Sequence, residues 1–308
     1  MSDLALYAVS VLIWGSTWLA IKFQLGVVPA AVSVAWRFGA AALILLGYAC
    51  FKRLSLRFDG RTHLWLALQG LLLFCINYVL VYVSEQSLTS GLVAVIFSLA
   101  TFCNIAGMWL FFSVPIKRAA LVGSIVGVTG VALVFWPEIA QFSMSPAPRL
   151  GALFALAGAV VASLGNMTAT RNHRNRLPVI EANAWAMLYG AIFTGIYALL
   201  DREPLLFDRS LPYVASLLYL ALFGSVIAFV AYLTLLGRIG ADRAGYTGVA
   251  IPIVALALST FFEDLHWDAS MVGGIAMCVA GNVLVLRGSA APGANAYRDN
   301  REKNERDG

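Results

Sequence analysis

Residues 78–104 read YVLVYVSEQSLTSGLVAVIFSLATFCN, and residues 232–258 repeat their plan as YLTLLGRIGADRAGYTGVAIPIVALAL. Each copy is the end of one apolar run, a short polar turn, then most of another apolar run. Tyr78 falls on Tyr232, Gly91 on Gly245 and Val95 on Val249, while Ser98 falls on Pro252. Few identities are kept, but the pattern is. A second pair lies outside the first: VGSIVGVTGVALV (122–134) over GGIAMCVAGNVLV (273–285), with Gly123 on Gly274 and Gly130 on Gly281. Internal repetition of this kind fixes the architecture before any single segment is read.

Working outward, apolar runs recur along nearly the whole chain. Of its 308 residues 60% are hydrophobic and 12% charged, with a mean hydropathy of +0.81. That composition excludes a soluble domain and predicts an all-α polytopic membrane protein. Ten spans are expected, at about 4–21, 29–50, 64–84, 91–114, 119–136, 150–170, 181–200, 212–236, 245–262 and 268–286, each near the ~20 residues that cross ~30 Å of hydrocarbon. The first has no basic stretch before it and no cleavage-like site after it, so it reads as a retained span. Residues 1–140 and 141–287 then form two five-helix repeats, and an odd number of spans per repeat inverts one copy against the other. Residues 288–308, small and polar and then charged, read as a disordered cytoplasmic tail.

Orientation follows from the basic residues. With the N-terminus inside, only Lys22, Arg149, Arg202 and Arg209 of the 21 Lys and Arg fall outside, and Arg37 lies within a span. This bias predicts both termini in the cytoplasm. The net charge of +5 sits in short loops and is no nucleic-acid signature. The four cysteines lie in apolar segments without ligand spacing, and the three histidines lie far apart, so neither metal nor cofactor is called for.

Several features occur in a fixed order: LIWGSTWLAIK (12–22), PAAVSVAWRFGAAALILL (29–46) with its internal arginine, SGLVAVIFSLA (90–100), the Pro252 turn in the repeat, and paired glycines in spans five and ten. Together, over about residues 4–287, they resemble the EamA-like family of the drug/metabolite transporter superfamily. The resemblance implies a ten-helix carrier of the bacterial inner membrane that exports amino acids and related metabolites by alternating access. Its partners are then a small solute and the lipid bilayer, with no nucleic acid, and it works as a monomer or homodimer. One departure is Ser98, where such carriers often have proline, which puts in doubt a bend of span four to match span nine.

A carrier needs polar and aromatic side chains at mid-span depth. Tyr78 and its mate Tyr232, with Asn77, Tyr82 and Tyr246, suit an amino-acid backbone or an aromatic side chain; such residues also cement helix packing. Trp14 and Trp18 share one face of span one, with Ser16 between them, and serve either as a wall or as packing. Ser98, Thr101 and Asn104 recur at helical spacing, as do Ser163 and Asn166. Arg37 lies ~12 Å down span two, where a cation is costly and expected to face inward with a partner. It is a candidate for a substrate carboxylate; the other reading is a structural arginine satisfied by carbonyls or reaching toward Glu85.

No Asp or Glu falls mid-span, since Glu85, Glu181, Glu263 and Asp264 sit at span ends. Proton-coupled export of cationic drugs is therefore disfavoured, and no single carboxylate is expected to be indispensable. Anionic metabolites or nucleotide sugars would need several buried cations. A receptor or scaffold role is the remaining alternative from another class. No ATP-binding loop and no cluster of acid, base and nucleophile occurs, so no enzyme is expected.

Overall fold

In the computed structural model, which describes residues 1–134, 136, 146–239, 247–265 and 267–289, the described chain is helical throughout and contains no strand. The helices are α1 (Asp3–Lys22), α2 (Ala30–Phe51), α3 (Gly60–Glu85), α4 (Ser90–Phe112), α5 (Arg118–Val134), α6 (Pro146–Arg174), α7 (Val179–Leu200), α8 (Leu211–Ile239), α9 (Thr247–Phe262) and α10 (Ala269–Ser289). Helix is what these sequences require, because a backbone inside hydrocarbon must bond to itself. Seven of them (α1 to α4 and α6 to α8) are long and apolar enough to cross a membrane, whereas α5, α9 and α10 carry shorter apolar stretches. The exterior is greasy: Leu12, Leu43, Leu121, Leu153, Leu199 and Phe261 are exposed, while Arg37, Gln69 and Glu85 are buried. This inversion of the usual soluble pattern suits lipid as the solvent.

Helix ends carry local reasons. Ser2 Oγ accepts from Ala5 N at 3.2 Å at the start of α1, and Asp59 Oδ1 from Thr62 N at 3.3 Å at the start of α3. Asp268 Oδ1 takes the Met271 amide at 2.7 Å at the start of α10. All three satisfy amides that have no partner within the helix. The helices α2 and α7 end alike, on an arginine in the left-handed region (Arg53, φ 52°; Arg202, φ 56°). In each case the next amide reaches back five residues, from Leu54 to Ala49 and from Glu203 to Ala198.

Two helices are not plain α-helices. Residues Gly70–Ile76 of α3 and Leu220–Ile227 of α8 form wide, five-residue-spaced turns. Ser225 Oγ donates to the Leu220 carbonyl at 3.0 Å within the second. In α4, helix Ser90–Phe97 gives way at Ser98 and Leu99 before resuming at Ala100. The Ser98 hydroxyl donates to the Val95 carbonyl at 2.6 Å, and the Leu99 amide turns instead to Ile96 at 3.0 Å. A serine thus tightens α4 without proline, whereas α9 runs unbroken through Pro252.

Packing follows a regular plan. The principal contacts of α1 to α5 with α6 to α10 are α2–α7, α5–α10, α4–α9, α1–α8, α3–α6, α1–α9, α4–α6, α2–α8 and α3–α7. The tightest seam is α5–α10, where glycines let backbones touch: a Cβ at Gly130 would lie 2.6 Å from the Gly274 carbonyl. The central core runs through Val34, Phe38, Phe74, Tyr82, Met187 and Leu220. Each predicted span coincides with a helix to within a few residues. The predicted boundary at 140, Tyr246, and the tail beyond Ser289 lie outside the described residues; α10 itself extends just past the expected tail boundary at 288.

Candidate functional site

The wide turns of α3 and α8 lie where aromatic side chains meet. A chain of rings runs Tyr78–Phe38–Phe74–Phe229–Trp14–Tyr232, with successive centroids 4.6, 5.1, 5.7, 5.2 and 5.1 Å apart. It crosses from α2 and α3 to α8 and α1. Trp14 is also pinned by its Nε1, which donates to the Gly224 carbonyl at 3.1 Å. That carbonyl belongs to a wide turn, whose altered bonding leaves acceptors for side chains.

Arg37 sits against this chain and is 1% exposed. Its guanidinium carbon lies 4.6 Å from the Tyr78 ring centroid and 5.2 Å from that of Phe38. Nε donates to Ser225 Oγ at 3.3 Å, while Nη1 has no hydrogen-bond partner among the described residues. Gly224 is what makes room, since a Cβ there would fall 3.3 Å from Nη2 and 2.7 Å from Thr17 Cγ2. Ring faces stabilise a cation in a dry setting, but they leave Nη1 able to donate. Tyr82, fully buried one turn beyond Tyr78, turns its hydroxyl to the Arg37 guanidinium at more than ordinary hydrogen-bond length.

The same face of α3 continues to Glu85. Although it is the last residue of the helix, Glu85 is 0% exposed, and neither carboxyl oxygen has a hydrogen-bond partner among the described residues. The chain closes over it: Lys22, at the end of α1, donates to the backbone carbonyls of Glu85 and Leu88, each at 2.5 Å. Lys22 also pairs with Glu263 at 3.5 Å. The Glu263 carboxylate in turn accepts from the Ser90 amide at 3.0 and 3.1 Å and from the Ser90 hydroxyl, at the start of α4. One ammonium and one carboxylate so tie α1, the α3–α4 turn and the end of α9 together. Negative charge at a helix N-terminus is favourable in its own right.

The opposite end of the bundle is closed by neutral amides. Asn172 Nδ2 donates to Gln69 Oε1 at 2.9 Å, and Gln69 Nε2 donates to Asn183 Oδ1 at 3.2 Å, joining α6, α3 and α7. Beside them Arg171 stacks on Trp65 at 4.0 Å. Between the two closures the described residues pack ring against ring.

The expected site residues therefore separate. Arg37, Tyr78 and Tyr82 come together, while Trp14 and Tyr232 pair at the far end of the ring chain. Asn77 is buried against α6 near Gly158, and its Nδ2 returns to Leu73 O at 3.2 Å. Ser16 ties α1 to α8 through the Tyr219 hydroxyl at 2.6 Å. Trp18 leaves Trp14 and packs on Phe97 of α4 at 5.2 Å. Thr101 faces Gly248, and Asn166 bonds Asn104 across α6 and α4 at 3.3 Å, with Ser163 buried one turn earlier. Lys22, Gln69, Ser225, Phe229 and the burial of Glu85 were missed. The one sequence signal for them was amide, lysine and glutamate next to apolar runs, which by itself looks like a span boundary.

The sequence matches the EamA-like transporter family over residues 2–136 and again over 149–287. The chain belongs to that family. Among relatives of this EamA-like protein, the "Uncharacterized inner membrane transporter YedA" of Escherichia coli K12 is 30% identical over 83% of this chain and 81% of its own. "Protein PagO" of Salmonella typhimurium is 24% identical over 94% of each chain. The "Uncharacterized transporter YvbV" of Bacillus subtilis is 24% identical over 94% of this chain and 93% of its own. One solved crystal structure superposes with a TM-score of 0.67 at 18% identity, covering 94% of this chain and 99% of that one; it speaks for the fold alone. The EamA-like chain is thus a multi-pass membrane transporter.

Proposed function

We propose that this EamA-like protein exports amino acids across the bacterial inner membrane by alternating access, with both termini in the cytoplasm and the Lys22 end facing out. The observation that carries the substrate class is Arg37: a buried guanidinium with Nη1 free to donate, held over the Tyr78 ring beside the unpartnered Tyr82 hydroxyl. A carboxylate is the natural complement of that nitrogen, and a chain of rings is the natural complement of an apolar or aromatic side chain. A lone central arginine favours a single carboxylate over a multiply charged anion.

Ten spans in two inverted halves are supported by three independent symmetries. The family matches once in each half. The wide turns fall at corresponding places in α3 and α8. Exchanging each helix with the one five places along maps the principal contacts between the halves onto one another: α1–α8 becomes α6–α3, α1–α9 becomes α6–α4, and α2–α8 becomes α7–α3. Such halves rock about a shared site in alternating access. The two closures, Lys22–Glu263 and Gln69–Asn172–Asn183, then act as outer and inner gates, and the state described here is closed at both.

Counterflow in proteoliposomes with a labelled amino-acid panel tests the proposal. Tyr78→Ala removes a ring and a hydroxyl; one lost hydrogen bond costs about 0.5–1.5 kcal/mol, so with the ring contact apparent affinity should fall on the order of tenfold or more. Tyr78→Phe should lose less. Unchanged affinity in the alanine variant, or an absence of counterflow for every amino acid, refutes the assignment.

A further inference from the structure

Glu85 stands out among the buried acids. Glu263 has the Ser90 amide, the Ser90 hydroxyl and Lys22 around it. Glu85 has none of these on its carboxyl group, although it is the more deeply buried of the two. The charged and titratable groups in its reach are Lys22 from α1, Arg37 from α2, Tyr82 from its own helix and Glu263 from the end of α9. Lys22 is engaged with two carbonyls and Glu263, and Arg37, although its Nη1 has no partner among the described residues, makes no hydrogen bond to the Glu85 carboxyl. A carboxylate with no N–H or O–H donor pays the full loss of its hydration, whereas a neutral carboxyl tolerates such a place far better.

We infer that Glu85 is the proton-binding site of the gate at the Lys22 end: it holds a proton while that end is closed and releases it when the end opens. The inference rests on the reading of the Lys22 cluster as a gate. Opening separates Lys22 from the carbonyls of Glu85 and Leu88 and from Glu263, and water reaches the Glu85 carboxyl. Its O–H bond then breaks and the proton passes to water, leaving a carboxylate beside the freed ammonium. Closing runs in reverse, with one proton taken from the water on that side. Acid at the Lys22 end therefore holds the gate shut; the proton released on opening is regained from the same side on closing, so the step regulates the gate and moves no net proton across it. On this inference Glu85 departs from the expectation that no single carboxylate is indispensable, because burial, not distance along the span, decides what a carboxyl does.

Ser259 supplies a reporter that needs no solute. It is fully buried one turn before Glu263, and a Cβ at Gly91 of α4 would lie 2.9 Å from its own Cβ. Ser259→Cys is nearly isosteric and becomes reachable when α9 parts from α4. Its labelling rate by a membrane-impermeant maleimide, above that of the protein with Ser259 intact, is measured across pH on purified full-length protein with Glu85 present and with Glu85→Gln. The ratio of the two rates cancels the thiol's own titration. It should rise about tenfold per pH unit, as linkage to one proton requires, because glutamine imitates the protonated form and keeps the gate shut. Glu85→Asp keeps a carboxyl and should keep the slope. A ratio independent of pH, faster labelling in Glu85→Gln, or a flat Glu85→Asp profile overturns the inference. Transport lost with the slope intact counts against the export reading instead; transport intact with a flat ratio counts against Glu85 alone.

Discussion

Alanine at Gly281 should force the α5–α10 seam apart. A Cβ built there would lie 2.5 Å from the Gly123 carbonyl oxygen, 2.6 Å from the Gly127 nitrogen and 2.9 Å from the Gly127 Cα. Ordinary contact begins near 3.4 Å, so the helices must separate by roughly 1 Å, since tightly packed backbone has nowhere else to go. The obstructing atoms belong to helical backbone and cannot swing aside as a side chain would. The seam is held by the same kind of contact further along, where Gly130 meets the Gly274 carbonyl. In lipid the hydrophobic effect does not draw helices together, and close packing carries much of the attraction. Overpacking of this kind costs about 1–3 kcal/mol. Gly195 of α7 is the control, because nothing lies within 4 Å of a Cβ there. Alanine at that site should stabilise by about 0.4–1 kcal/mol through the unfolded chain. The two variants, chemically the same change, should therefore move folded fraction in opposite directions in a denaturing-detergent titration followed by circular dichroism. If Gly281→Ala proves as stable as the parent while Gly195→Ala behaves as expected, the α5–α10 seam is wrongly described.

Two further outcomes concern pH and topology. The Asp59 and Asp268 carboxylates lie below their ordinary values, chiefly through side-chain hydrogen bonds with Thr62 and Ser270; the stability they add is complete above the usual carboxylate range and is lost as pH falls through the lowered values. Asp59→Asn with Asp268→Asn keeps both caps and should flatten the acid limb of a melting-temperature profile, and an unaltered acid limb contradicts the capping argument. A reporter active only in the periplasm and fused after Gly308 should stay silent, while strong activity there places the two termini on opposite sides.

Much of this was legible in the residues. The period of apolar runs located the helices, and the echo of 78–104 in 232–258 pointed to paired halves. Tyr78, Tyr82 and Arg37 were each readable as candidates from their mid-span depth, but not their meeting, which depends on how α2 packs on α3. What stayed hidden depended on partners distant in sequence. Glu85 looks like a boundary residue until Lys22 and Glu263 are seen to cover it. Asn77, adjacent to Tyr78, points to a different neighbour because one residue is a turn of about 100° on a helix. Ser98 was compared with proline at its repeat position, yet its hydroxyl tightens α4 by competing for a carbonyl, a local effect that composition does not encode.

The wide turns of α3 and α8 have a consequence for chain length. A helix that carries extra residues in one stretch sets the rotational phase of everything after it. The wide turn absorbs an extra residue, so deleting one from Gly70–Ile76 would let it relax to ordinary helix with the later face nearly kept, whereas deleting one from the ordinary turns of Gly60–Gln69 would rotate the remainder by about 100°. Tyr78, Tyr82 and Glu85 would then leave Arg37 and Lys22 for another face, with every side chain still present. The site is thus encoded partly as a count of residues and not only as their identities. Substitutions within the helix act one contact at a time, whereas a deletion from its ordinary turns changes the address of everything that follows.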